Sequence, residues 1–194
     1  MLGSSITIPG KPTILLIDGS RNLEGWESSF CERLLNSLQR RGIDLVTNRP
    51  IRIDKPKELV PRLEQQDGFN CILLLCHGDG ERVSQEAKLI SYWEWLNGYP
   101  WETPKLFAAL TWQSYDPHAS REILESSNSF ASVALAPTAP VTPSLGGLFF
   151  VKFFAELHLH SPDSISGGMA RFSYAKAKYL ADRRGMSGAV GIRC

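Results

Sequence analysis

The feature that most constrains this chain is an unbroken apolar run, Cys-Ile-Leu-Leu-Leu-Cys at positions 71–76, which ends directly at His77-Gly78. A strand with one face in solvent alternates apolar and polar residues, whereas a strand covered on both faces is apolar throughout. Parallel sheets are covered on both faces because the connections between their strands place helices there. The run therefore predicts a central strand of a parallel sheet, with His77 at its carboxyl end.

The rest of the chain alternates predicted strands and helices around that run. Further strands are predicted at positions 13–18, 106–111 and 132–136, with a weaker candidate at 45–47. Helices are predicted at about 26–41, 55–66, 117–124, 144–158 and 163–184, and the aromatic segment 91–96 fits a helical turn or a strand. This alternation predicts an α/β fold: a three-layer sandwich with a mostly parallel sheet and helices on both faces.

Length and composition fit one domain of this kind. The 194 residues, 43% of them apolar, suit a loose N-terminal lead-in over 1–12 and a single domain over 13–194. A net charge of +1 gives no electrostatic reason to expect nucleic acid or an anionic membrane as a partner. With no secretory signal at the N-terminus and no apolar run long enough to span a bilayer, we predict a cytoplasmic protein.

Metal and cofactor motifs are missing from the sequence. No two of the four cysteines have the C-x-x-C spacing of a zinc or redox site, and the histidines have no ligand partners at metal spacing. Neither glycine-rich signature of nucleotide binding occurs. We therefore predict no metal and no cofactor.

Polar residues follow two of the predicted strands, and sites in parallel sheets form at the carboxyl ends of strands. His77-Gly78-Asp79-Gly80 follows the strand at 71–76, and Thr111-Trp112-Gln113-Ser114 closes the strand at 106–111. Glycines there let the backbone bend and let a ligand approach closely. Beside His77, the candidate binding residues are Gly78, Asp79, Gln113 and Ser114.

Several stretches of the chain match one family in order and spacing. Positions 70–78, Asn-Cys-Ile-Leu-Leu-Leu-Cys-His-Gly, are similar to a family strand that ends in a catalytic His-Gly. Positions 106–114, Leu-Phe-Ala-Ala-Leu-Thr-Trp-Gln-Ser, are similar to the strand that normally ends in Ser-Ala-Cys-Glu-Thr. Segments corresponding to the rest of the family pattern lie at 90–96, 132–136, 148–157 and 166–182. On these residues the chain resembles the CHAT domains of the caspase-like (clan CD) cysteine peptidases, which implies a caspase-like sandwich.

The resemblance also implies an incomplete catalytic pair. In the family, a histidine polarises a cysteine thiol, and the thiolate attacks a peptide carbonyl. His77 corresponds to that histidine, but Trp112 stands at the cysteine position, and an indole is not a nucleophile. Cys76 is a poor substitute, because adjacent residues of a strand point to opposite faces. The hydroxyls of Thr111 and Ser114 would need a base that the sequence does not show.

We therefore predict a catalytically degenerate caspase-like domain, with His77 as a vestigial base, that binds a protein or peptide partner as a regulatory module. One alternative is an active cysteine endopeptidase that uses His77 with a non-standard nucleophile. Another is a small-molecule-binding α/β domain with its ligand at the strand ends. His77 as a plain turn histidine and Trp112 as core packing also stay open, and the oligomeric state is not fixed.

An aromatic-rich stretch between the two strand ends allows two interpretations. Trp93, Trp95, Tyr99 and Trp101 either pack against the edge of the sheet or form a partner surface, since Trp and Tyr are enriched at interface hot spots.

Overall fold

A computed structural model describes residues 7–19, 26–77, 88–112, 115–127, 129–185 and 188–194. The strands are β1 Ile8–Pro9, β2 Thr13–Gly19, β3 Asp44–Leu45, β4 Ile51–Arg52, β5 Cys71–His77, β6 Lys105–Trp112, β7 Ala131–Pro137, β8 Ser164–Ile165 and β9 Val190–Arg193. The helices are α1 Trp26–Gln39, α2 Leu59–Leu63, α3 Leu89–Gly98, α4 Pro117–Glu125, α5 Pro143–His160 and α6 Gly167–Asp182, and a 3₁₀ turn, Pro56–Glu58, precedes α2.

Seven strands form one mixed, mostly parallel sheet in the order β3-β2-β5-β6-β7-β9, with β4 also pairing with β2. Every pair is parallel except β7–β9, which is antiparallel. The short strands β1 and β8 form a separate antiparallel pair. The predicted α/β class with a mostly parallel sheet is confirmed, and the apolar run at 71–76 is a central strand.

The two faces of β5 explain why its sequence is apolar throughout. Cys71, Leu73 and Leu75 pack on one face in a core shared with α1, α5 and α6. Between them, Ile72, Leu74 and Cys76 pack on the other face, under α2, α3 and α4. All seven residues of β5 are buried, so the sheet is the middle of three layers.

Local sequence signals set the starts of two helices, α4 and α6. Asp116 caps α4, accepting a hydrogen bond at Oδ1 from the backbone N–H of Ala119 (2.9 Å), and Pro117 takes the first helical position. Ser166 caps α6 in the same way through the N–H of Met169. The predicted helix at 163–184 therefore begins later than expected, because Ser164–Ile165 is used by β8.

Other elements differ from the sequence-based expectation, or decide between alternatives that the sequence leaves open. The aromatic segment 91–96 lies within a helix, α3. The predicted helix at 55–66 divides into the 3₁₀ turn and α2, whose first turn accommodates Pro61 because no intrahelical N–H partner is required there. The pair β1–β8 and the antiparallel strand β9 are not anticipated by the sequence patterns. No helix in the described ranges is long and apolar enough to cross a membrane.

Candidate functional site

The candidate site is the carboxyl edge of the sheet, meaning the ends of β2, β5 and β6 at Gly19, His77 and Trp112. Parallel register pairs His77 with Trp112, while Gly19, Cys76 and Thr111 form the row before them. An isolated parallel bridge also joins His77 to Lys88. Since β6 occupies one side of His77, Lys88 lies on its other side, beyond the end of β2.

Cys76 and His77 belong to opposite faces of the sheet, as the sequence predicts. Cys76 lies in the core under α3 and α4, whereas the alternation of β5 puts His77 on the same face as Leu73 and Leu75. His77 is 8% exposed, at the point where the strand leaves the core. A thiol at position 76 therefore does not share a face with the imidazole.

The electrostatic environment keeps the Cys76 thiol protonated. Complete burial raises the pKa of Cys76 far above its ordinary value, because the thiolate would be desolvated, and the nearby Asp116 carboxylate raises it further. The reactive form of a cysteine is the thiolate. Cys76 is therefore a core residue without nucleophilic character at neutral pH.

None of the other three cysteines lies at a strand end of the candidate site. Cys71 begins β5, six residues or about 20 Å back along the strand, and burial raises the pKa of its thiol as well. Cys31 is buried on α1 in the core. Cys194 follows β9, where its backbone carbonyl accepts a hydrogen bond from Arg171.

These positions predict the pattern of thiol reactivity. We expect iodoacetamide to modify Cys194 before the other three in the native protein, because it alone of the four cysteines is exposed, even though partial burial raises the pKa of its thiol. Cys31, Cys71 and Cys76 are fully buried and should react only when the fold opens. Intact mass measured over a labelling time course should show one fast adduct in the native protein and four adducts in denaturant. In native Cys194→Ser, no adduct should form rapidly. Rapid native labelling of Cys76 would contradict this assignment.

A buried tyrosine of α3 packs against the carboxyl end of β2. Tyr92 of α3 is fully buried, and its hydroxyl donates a hydrogen bond to the carbonyl of Ile53 at 3.0 Å. The ring also explains the glycine that ends β2, since a Cβ at Gly19 would lie 2.8 Å from Tyr92 Cζ. Tyr92 thus fixes the end of β2 against α3.

Charged residues surround the edge. Asp18, Lys88 and Asp116 are all buried, at 3%, 8% and 7% exposure. Lys88 is the residue that sequence analysis missed, because nothing in the sequence places a residue eleven positions after His77 beside it. The edge thus combines an imidazole, an ammonium group and carboxylates, all of them largely buried.

Part of the predicted site lies outside the described residues. Gly78, Asp79, Gln113 and Ser114 fall there, and for Trp112 only the backbone is described. Within the described part of the chain, no group of three or more His, Cys, Asp or Glu side chains is placed to hold a metal ion.

No family model matches this chain, and no curated protein matches its sequence. The functional interpretation therefore depends on the residues and their geometry.

Proposed function

We propose that this chain is a catalytically degenerate, CHAT-type domain of the caspase-like superfamily, which binds a protein or peptide partner at the carboxyl edge of its sheet. The observation that carries the proposal is the register between β5 and β6, in which the residue paired with His77 is Trp112. In the peptidases that the sequence resembles, these two positions hold the histidine and the cysteine. An indole at the second position removes the nucleophile and leaves the histidine.

The cysteines of this chain support the loss of catalysis. The nearest in sequence to His77 is Cys76, which lies on the opposite face with a raised pKa. A thiol in that state supplies almost no thiolate at neutral pH. The domain is therefore proposed to retain recognition without cleavage.

The charged edge supports a peptide or protein as the ligand. The enzymes that the sequence resembles bind a peptide chain at this edge, next to the histidine. Lys88 and His77 lie side by side here, with Asp18 and Asp116 on the neighbouring strand and helix. Because all four side chains are largely buried and Asp116 caps α4, they would form the wall behind an extended peptide and set the charge of that wall. The four cysteines form no disulfide, which fits action in the reducing cytoplasm.

Restoring a thiol at position 112 tests the proposed correspondence. In a Cys194→Ser background, we expect the thiol introduced by Trp112→Cys to react with iodoacetamide at pH 7 at least about tenfold faster than in Trp112→Cys/His77→Ala, because a neighbouring imidazolium lowers a thiol pKa. Thr111→Cys is the matched control: it lies one residue earlier on β6 and faces the other side. Its rate should be slow and independent of His77.

A second arm uses the wild-type chain and does not depend on how well the Trp112 variant folds. A peptidyl acyloxymethyl ketone, which alkylates active cysteine peptidases, is expected to give no labelling that depends on His77. Labelling abolished by His77→Ala would show an active peptidase and overturn the proposal. Equal alkylation rates for Trp112→Cys with and without His77, in variants that melt cooperatively, would overturn the assignment of the two positions.

A further inference from the structure

Large apolar side chains are exposed mainly in one region of the described chain. Five such side chains are at least 36% exposed, and four of them lie on α6 or at the end of α5. These four are Leu159, Met169, Phe172 and Tyr179, with exposures of 36–70%. Scattered exposed apolar residues are ordinary, but a contiguous group on one surface indicates an interaction site.

The spacing along α6 places its exposed residues in one stripe. The inward face carries the small residues Ala170, Ser173, Ala177 and Ala181, which let the helix pack closely on the core. Phe172, Lys176, Tyr179 and Arg183 follow at intervals of four, three and four, so they share the outward face.

The end of α5 joins this stripe. The ring of His160 packs edge-on against Phe172, with centroids 5.1 Å apart, and Ser161 Oγ lies 3.3 Å from Met169 Sδ. We call the combined area the α6 surface, formed by Leu159, Met169, Phe172, Lys176, Tyr179 and Arg183.

Cations are interleaved with the rings of the α6 surface. Lys176 Nζ lies 5.3 Å from the Phe172 ring centroid, and Arg183 Cζ lies 5.8 Å from that of Tyr179. Neither cation forms a salt bridge with any residue in the described ranges, although Lys176 lies near enough to Glu156 of α5 to help lower the pKa of that carboxyl. The carboxylate of α6, Asp182, is already paired with Lys178.

The whole of α6 and its C-terminal extension is basic. Positions 167–184 hold five basic side chains and one acidic side chain. A second copy docked through this face would bring like charges together, which is unfavourable. In helices that lie on membranes, the cations flank the apolar face, whereas here they alternate with the aromatic rings along its centre.

We propose that the α6 surface docks an acidic amphipathic helix of a partner protein. Apolar residues of such a helix, spaced three and four apart, would cover Phe172 and Tyr179. Its carboxylates would pair with Lys176 and Arg183, which the rings beneath them hold in place. This surface lies on the outer side of the helix layer, so the proposal is independent of the chemistry at His77.

A displayed library of helical peptides, randomised at its surface positions, tests the proposal on the intact chain. Selected peptides are expected to carry Asp or Glu beside apolar residues at intervals of three and four. Their affinity, measured by fluorescence anisotropy, should fall at least tenfold in Phe172→Ser/Tyr179→Ser and in Lys176→Glu/Arg183→Glu. Lys57→Glu/Arg62→Glu is the matched control, since it reverses two exposed cations near α2 and should leave affinity unchanged.

Reversing the charge should also reverse the selection. The same library selected on Lys176→Glu/Arg183→Glu is expected to yield basic peptides. Enrichment of neutral or basic peptides on the wild type, or binding unaffected by the α6 variants, would overturn the proposal. So would binding to phosphatidylserine vesicles that the α6 variants abolish, or a dimer in light scattering that they dissociate. All four substituted positions are exposed, and thermal melts confirm folding of each variant.

Discussion

Replacing Trp93 by alanine is expected to lower the free energy of unfolding by about 4 kcal/mol, the range seen when a buried aromatic side chain is removed. Trp93 is 1% exposed and sits on α3 above the sheet. Its ring lies 5.3 Å from the rings of both Phe107 and Phe130. The substitution removes the largest ring of this aromatic cluster and leaves a cavity between α3 and β6.

Trp95 provides the control on the same helix. It is 46% exposed, so Trp95→Ala should lower the unfolding free energy far less, by about 1 kcal/mol. Urea denaturation followed by far-UV circular dichroism measures the unfolding free energy of both variants. The dependence of that free energy on urea concentration is expected to stay unchanged. Similar losses for the two variants would contradict the burial difference that the structure gives.

A conservative variant refines this test. The indole Nε1 of Trp93 is buried and makes no hydrogen bond with a described residue. Trp93→Phe removes that unpaired donor along with part of the ring, so its cost should be well below that of Trp93→Ala. A loss as large as that of the alanine variant would show that the N–H has a partner.

These tryptophans also show where sequence reasoning stops. Segment 91–96 is too short for its periodicity to separate a helix from a strand, and the sequence leaves both open. In the helix, residues two apart face different directions, so Trp93 packs inward and Trp95 points to solvent. The predicted packing against the sheet thus holds for Trp93, whereas Trp95 is exposed, and a partner surface at this stretch stays a prediction.

The central strand was predictable because its signal is local. An apolar run of six residues specifies burial on both faces wherever it lies in the chain. The pairing of His77 with Trp112 followed from two strand ends that parallel register brings together. Lys88, β9 and the β1–β8 pair were not predictable, because each depends on contacts between segments distant in sequence. Strands of two to four residues carry too little pattern to be recognised.

Asn70 makes contacts of this long-range kind through its side chain. Replacing it by alanine is expected to lower the free energy of unfolding by about 3 kcal/mol. The side chain is 8% exposed, just before β5. Its Oδ1 accepts a hydrogen bond from the backbone N–H of Thr13 at 2.9 Å. Its Nδ2 donates to backbone carbonyls 2.9–3.2 Å away, those of Pro9, Gly10 and Lys11. Alanine would remove all four of these hydrogen bonds, which lie in partly buried surroundings.

Two variants separate the hydrogen bonds from general effects of substitution. Asn70→Asp keeps an acceptor for Thr13 but turns a carboxylate oxygen towards the three carbonyls, so it should destabilise at least as much as alanine does. Asn36→Ala, at an exposed position of α1, should be neutral or slightly stabilising because alanine favours helix. Urea denaturation gives the free energies, and hydrogen exchange at the Thr13 amide reports the lost bond directly.

Because of where Asn70 lies, losing its side chain should leave the candidate site intact. Asn70 lies at the amino end of β5, seven residues before His77 and at the opposite edge of the sheet from the candidate site. Under conditions where Asn70→Ala remains folded, the alkylation rate of a thiol introduced by Trp112→Cys should therefore keep its dependence on His77. If the same substitution removed that dependence, the two edges would be coupled through β5. The carboxyl edge could then not be treated as a site formed by its own residues.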